Sequence, residues 1–190
     1  MSTIKSLEVR RSVYAINDIL PIDENELIDT VLNVIELVPD AFNMKSQRIV
    51  LALGEKHREL WDIIYNVFDG KVPEKKINEF KAGYGTILYF IDDDVLKKLQ
   101  EQNPLYADEL PIWAEQSNGM MQFSVWTALS ELKIGANLQH YNPIIYDTVR
   151  ELFNLPKSYR LRAQMPFGGV IAIPCPKGNQ EAAKRLIISK

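Results

Sequence analysis

The sequence predicts one domain that mixes strands and helices, α/β or α+β in class. Three observations carry that expectation. Residues 48–54 (RIVLALG) and 84–91 (YGTILYFI) are short, continuous apolar runs, the pattern of strands buried on both faces. Between and beyond them, apolar residues recur at helical spacing. The 190 residues contain no internal repeat, low-complexity tract or Gly/Ser linker that would divide them.

Taken in order, residues 3–10 can form a short helix leading into Arg10, Arg11 and Ser12. Asp23 is an N-cap candidate, with Glu26 three residues on to complete a capping box. The helix behind it, about 24–38, sets Leu27, Val31, Val34, Ile35 and Val38 on one face and ends at Pro39. Residues 55–68 repeat apolar side chains through Leu60, Trp61, Ile64 and Phe68, and Gly70 closes that helix. His57 falls on it as a surface or half-buried residue. A polar helix over about 92–102 opens on Asp92, Asp93 and Asp94, where carboxylates satisfy free N–H groups better than they suggest a metal. Asn103, Pro104 and Pro111 bracket a loop. Residues 113–133 form the longest helix, with Gly135 as its cap. Its Met120, Met121, Phe123, Val125, Trp126, Ala128, Leu129 and Leu132 cover more than one face, so a second subunit is its expected cover. A third strand begins near Asn137, and residues 160–173 supply one or two more. Residues 174–190, rich in Pro, Lys and Gly, read as an extended arm.

Composition narrows the function. The chain is 46% hydrophobic and 25% charged, as expected of a soluble globular protein. Its 22 basic and 25 acidic residues give a net charge of -3, against the dense basic face of a general nucleic-acid binder. Cys175 has no second cysteine to pair with, and two histidines cannot build a Cys/His zinc cage. A reducing, cytoplasmic setting fits. Charges at Lys5, Glu8, Arg10 and Arg11 occupy the place of a signal peptide's apolar stretch, and no run approaches the ~20 residues of a membrane span.

Few residues suggest chemistry of their own. Arg10, Arg11 and Ser12 could hold a phosphate by charge-assisted hydrogen bonds, although on spacing alone a solvated charge pair is the better reading. Lys184 and Arg185 make a second basic pair, and convergence of the two would give one anion site. There is no G-x-G-x-x-G after a strand and no P-loop. His140 lies in a polar loop with no nucleophile beside it, so a catalytic triad is not indicated. A chain without an acid–base pair, nucleophile or metal set points to a bound cofactor as the source of any chemistry.

Taken together, these pieces resemble the FMN-dependent nitroreductase family over nearly the whole chain. Arg10, Arg11 and Ser12 resemble its N-terminal flavin-phosphate motif. Residues 38–43 (VPDAFN) resemble its P-S-x-x-N-x-Q stretch, helix 113–133 its central dimer helix, and residues 132–135 (LKIG) stand where a G-L-G turn is usual. Lys184 and Arg185 resemble its C-terminal basic pair. Residues 134–143 (IGANLQHYNP) and 164–168 (QMPFG), with Tyr14, are similar to a short branch that includes yeast proteins linked to fatty-acid regulation and lactic-acid-bacterial counterparts.

The resemblance implies an α+β homodimer: a central mixed, mainly antiparallel sheet flanked by helices, a long buried dimer helix, an extended C-terminal arm, and FMN at the interface. Arg10, Arg11 and Ser12, joined by Lys184 and Arg185, would hold the phosphate and ribityl chain. Asn43 and Lys45 would approach from the partner subunit. Leu138, Gln139 and His140 match the loop whose backbone N–H groups face flavin N5, so His140 would serve through its main chain. Tyr14 stands where many members carry Lys or Arg, which leaves Lys45, Arg48 or Lys81 to supply that charge. Met44 and Lys45 replace the common S-Q. The activity implied is ping-pong transfer of hydride from NADH or NADPH, via FMN, to nitroaromatic or quinone-type acceptors. The alternative is a flavin-binding redox sensor with little turnover, and a non-flavin interaction protein on the same fold stands third.

Overall fold

The computed structural model describes residues 2–178 and 181–190. In chain order the elements are α1 (Thr3–Val9), β1 (Ile16–Asn17), α2 (Glu24–Leu37), β2 (Gln47–Leu53), α3 (Gly54–Phe68), α4 (Glu74–Lys81), β3 (Gly85–Asp92), α5 (Asp93–Gln102), α6 (Leu110–Glu131), β4 (Ile134–Ala136), α7 (Tyr146–Phe153) and β5 (Tyr159–Val170). The strands form one sheet in the order β1-β5-β3-β2, with β4 also paired to β5. Every strand pair is antiparallel, and a single parallel bridge joins Ser12 to Ala136.

Strand β3 organises the core because its residues alternate between two buried faces. Ile87 and Tyr89 meet α2 and α6 through Leu27, Val31, Met121, Val125 and Leu129. Leu88 and Phe90 meet α3, α4 and α7 through Leu60, Trp61, Ile64, Phe80 and Val149. The sheet is thus covered on both faces by helices. None of those helices is long and apolar enough to cross a membrane.

Several expectations need correction. Residues 48–54 are not buried on both faces: β2 is an edge strand, and only Ala52 in it is fully buried. Asp23 occupies the N-cap position of α2, but its side chain caps nothing, so the capping box does not form. Ile35 points outward from α2. Pro111 lies in the first turn of α6, where a missing N–H is harmless, rather than in a loop. Helix α6 ends at Glu131 with Leu132 as its C-cap, and Gly135 belongs to β4. The strand expected near Asn137 is β4, which ends one residue earlier, and residues 160–173 hold one long strand. The helix after β3 begins as expected, with the Asp92 carboxylate accepting from the Asp94 N–H.

His57 is the largest correction, for it is buried and not at the surface. Its Nδ1 lies 2.9 Å from Thr86 Oγ1 and its Nε2 3.2 Å from the Lys81 carbonyl. Trp61 Nε1 donates to the same Thr86 oxygen at 2.9 Å. The Lys81 carbonyl can only accept, so His57 Nε2 carries a proton; in the neutral ring Nδ1 then accepts the Thr86 hydroxyl proton while the Thr86 oxygen accepts from Trp61. Burial favours that neutral form and pushes the pKa down to about 4.

Candidate functional site

The site is built where the first turn after α1 meets the far end of β5. Beyond Phe167, β5 exchanges β3 for β1 as a neighbour and keeps β4 on its other side. Crowding there requires glycine: a Cβ on Gly168 would lie 2.0 Å from the Asn17 carbonyl oxygen, and one on Gly169 2.3 Å from that of Ile19. The chain just after Arg11 is stitched to the segment after β4. Val13 N–H donates to the Ala136 carbonyl at 2.9 Å, and Asn137 Nδ2 donates to the Val13 carbonyl at 2.9 Å. These bonds join the segment that follows Arg10, Arg11 and Ser12 to the one that leads into Leu138, Gln139 and His140, two stretches more than a hundred residues apart in sequence.

Arg10 is not the solvated residue that spacing alone allowed. It is buried, its guanidinium carbon lies 4.2 Å from the Trp126 ring centroid and 5.5 Å from that of Phe123, and its Nε has no hydrogen-bond partner among the described residues. Burial first, then the neighbouring Arg11 charge, holds its pKa below the ordinary value. A buried cation with an unmet donor fits an anionic ligand. Arg11 lines a different space, a largely apolar cleft of about 680 Å³ with Lys133, Val13, Leu20, Ile134 and Ile171.

The loop after β4 is held from one side. Gln139 N–H donates to the Gln164 carbonyl at 2.7 Å, and Gln164 N–H donates back to Gln139 at 2.9 Å. Tyr141 N–H donates to Gln164 Oε1 at 2.8 Å. The Gln139 N–H is therefore occupied, while the peptide N–H groups of Leu138 and His140 make no hydrogen bond among the described residues. His140 is exposed. Beside the loop, the Tyr141 ring stands edge-on to Trp61 at 5.8 Å and to Phe68 at 5.4 Å. Burial first, and Tyr14 second, raise the Tyr141 hydroxyl pKa.

Asn43 and Lys45 are not brought to this place within one chain. They line a separate cleft of about 270 Å³ at the end of α2, with Asp40, Gln47 and Arg48. The backbone there is left-handed at Phe42, Asn43 and Lys45, and Lys45 N–H donates to Asp40 Oδ2 at 2.7 Å. Ser46 Oγ and Gln47 Nε2 are buried without partners. Of the three cations that could replace a base at Tyr14, Arg48 is bound to Asp92, Tyr159 and the Lys45 and Gln47 carbonyls. Lys81 is ion-paired with Asp62 at 2.5 Å. Lys45 alone of the three keeps an unpaired ammonium among the described residues. On the arm, Lys184 pairs with Glu181 at 2.7 Å, and no hydrogen bond links it to Arg10, Arg11 or Ser12.

Sequence reasoning missed Trp126, Gln164 and Lys76. Trp126 had been noted only as an apolar helix residue, and nothing in a linear reading pairs it with Arg10. Lys76 Nζ lies 6.0 Å from the Tyr14 ring centroid. Gln164 is wholly buried, and a polar residue inside an apolar strand was the available signal.

Comparison with known proteins agrees with this geometry. Residues 7–169 match the model of the nitroreductase family. HBN1 of Saccharomyces cerevisiae is 32% identical over 177 residues, 92% of this chain and 91% of that one. The nitroreductase FRM2 of the same yeast is 29% identical over 174 residues, 90% of this chain and 89% of FRM2. Nitroreductase CinD from Lactococcus lactis, solved with chloramphenicol, superposes with a TM-score of 0.94 at 43% identity, covering 100% of both chains. With most of its length matched by the family model and its fold shared with CinD throughout, this chain belongs to the nitroreductase family and is an oxidoreductase of nitroreductase type.

Proposed function

We propose that the chain works as a homodimer that binds FMN, takes hydride from NADH or NADPH, and passes electrons to nitroaromatic or quinone-type acceptors by a ping-pong cycle. The observation that carries this reading is a buried Arg10 Nε with no partner among the described residues, on the segment stitched to the one that leads into the open peptide donors of Leu138 and His140. An anionic phosphate meets the first, and a flat heteroaromatic ring with acceptor nitrogens meets the second. When bound, the flavin supplies the hydride and electron transfer that no side chain here can provide.

The residues divide that work. Arg10 and Ser12 hold the phosphate end, Arg11 reaches it from the apolar cleft that it lines, and Lys184 and Arg185 close it once the arm is seated. Asn43 and Lys45 come from the second copy, which explains why one chain leaves them in a separate cleft. Lys45 brings the positive charge that Tyr14 lacks. Leu138 and His140 orient the ring by their main chain, and protons come from solvent.

The dimer is supported by apolar side chains left open on one copy. Ile112, Met120 and Phe123 on α6, Ile4 and Leu7 on α1, and Ile187 on the arm are all exposed. Such a surface resembles a core cut in two. CinD, at 42% and 43% identity respectively, was also solved with nicotinic acid and with 4-nitrophenol, and flat aromatic rings of that kind suit the acceptor class proposed here. A cytoplasmic, reducing setting belongs to the same reading.

The test is a visible absorption spectrum followed by anaerobic mixing. A yellow protein that NADH or NADPH bleaches, and that a quinone reoxidises, supports the proposal. A colourless protein that fails to take up added FMN contradicts it.

A further inference from the structure

Gln164 sits in the middle of β5, opposite Leu88 of β3, with no exposed surface. A buried glutamine must have both ends of its amide met, or it destabilises the fold by about 1–3 kcal/mol per unmet group. Here one loop meets them all. The main chain of Gln164 exchanges two hydrogen bonds with Gln139. Its Oε1 accepts from Tyr141 N–H at 2.8 Å, and its Nε2 donates to Asn142 Oδ1 at 3.3 Å.

The pattern of these bonds matters. The N–H groups of Gln139 and Tyr141 are both taken by Gln164, whereas that of His140 between them makes no hydrogen bond among the described residues. It is the donor on the exposed residue of the loop, and Gln164 grips the peptide on either side of it.

We infer that Gln164 is the positioning residue of the proposed flavin site, holding loop 139–142 so that the His140 peptide N–H is presented to the cofactor. This rests on the flavin-binding reading above. Gln164 touches neither cofactor nor substrate and acts only through the loop.

The chain's two histidines make the test direct, because labelling with 15N at histidine alone gives two peptide signals. His57, inside α3, reports the fold, and His140 reports the loop. In the wild type, added FMN should slow hydrogen exchange at His140 by about tenfold or more and leave His57 unchanged. Gln164→Met, similar in length but without the amide, should still bind FMN and show less than about half of that slowing on a logarithmic scale. Gln164→Glu keeps an acceptor for Tyr141 N–H and should restore part of it. If Gln164→Met does not fold, as the His57 signal would show, Gln164→Glu decides: it faces Asn142 Oδ1 with an acceptor, so its slowing must fall below that of the wild type. Slowing equal to wild type in the folded variants overturns the inference alone, and none at His140 in a wild type that has bound FMN overturns it together with the role proposed for the His140 peptide. A wild type that never binds FMN overturns the flavin reading instead.

Discussion

His57 and His140 lie in opposite kinds of surroundings. Around His57 every polar group finds a partner: Trp61 donates to Thr86, Thr86 to His57, and His57 to the Lys81 carbonyl. Around His140 the neighbours are tied to Gln164 while the residue between them keeps its N–H open and its side chain exposed. The first network joins α3, α4 and β3 and has nothing left to offer a ligand. The second ties the peptides on either side to Gln164 and leaves one donor accessible, which suits the binding site proposed for it.

Breaking the open site through its backbone should give the largest effect. His140→Pro deletes the N–H and fixes φ, so reduction of the flavin-loaded protein by NADH or NADPH, followed by stopped flow, should slow by about a thousandfold. Breaking the closed network should instead act on stability. Thr86→Val strands both the Trp61 N–H and His57 Nδ1, and urea unfolding should show a loss of about 2–4 kcal/mol with little change in FMN affinity.

The same network predicts a pH dependence. Unfolded His57 takes up a proton near pH 6.5, whereas in the fold its pKa is about 4. Stability from this group is complete above pH 6.5 and falls as pH drops toward 4, by up to about 3 kcal/mol. Unfolding midpoints across that window should decline in the wild type and flatten in His57→Gln. A smaller effect is expected at the phosphate end. Arg10→Ala should weaken FMN binding by about tenfold or more, as loss of a charge-assisted hydrogen bond does, with the circular dichroism spectrum retained. Unchanged FMN affinity would make Arg10 a packing residue on Trp126.

How much of this could be read from the sequence follows the same division. Strand β3 and helices α2, α3 and α6 were legible because apolar spacing reports burial directly. The edge position of β2 was not, since an edge strand and a central one carry the same apolar run when helices cover both faces. The resemblance supplied Arg10 and His140 as site candidates. It could not show that Arg10 packs on Trp126, because that contact joins residues 116 positions apart. Gln164 was quoted only as part of a motif. Its role depends on which of its neighbours' N–H groups turn inward, a matter of register that spacing does not encode. His57 was misjudged for a similar reason: the Thr86 and Lys81 groups that satisfy it lie on other elements.

In the proposed site the peptide at position 140 does the work and the imidazole does not. Stopped-flow reduction of flavin-loaded His140→Gln by NADH or NADPH tests it most directly, because this change removes the titrating ring and keeps the N–H. The variant should keep bound FMN and lose less than about tenfold in rate, well short of the ~10²–10⁴ that a general acid contributes. A loss of about a hundredfold or more with FMN still bound would contradict it and make His140 a catalytic acid.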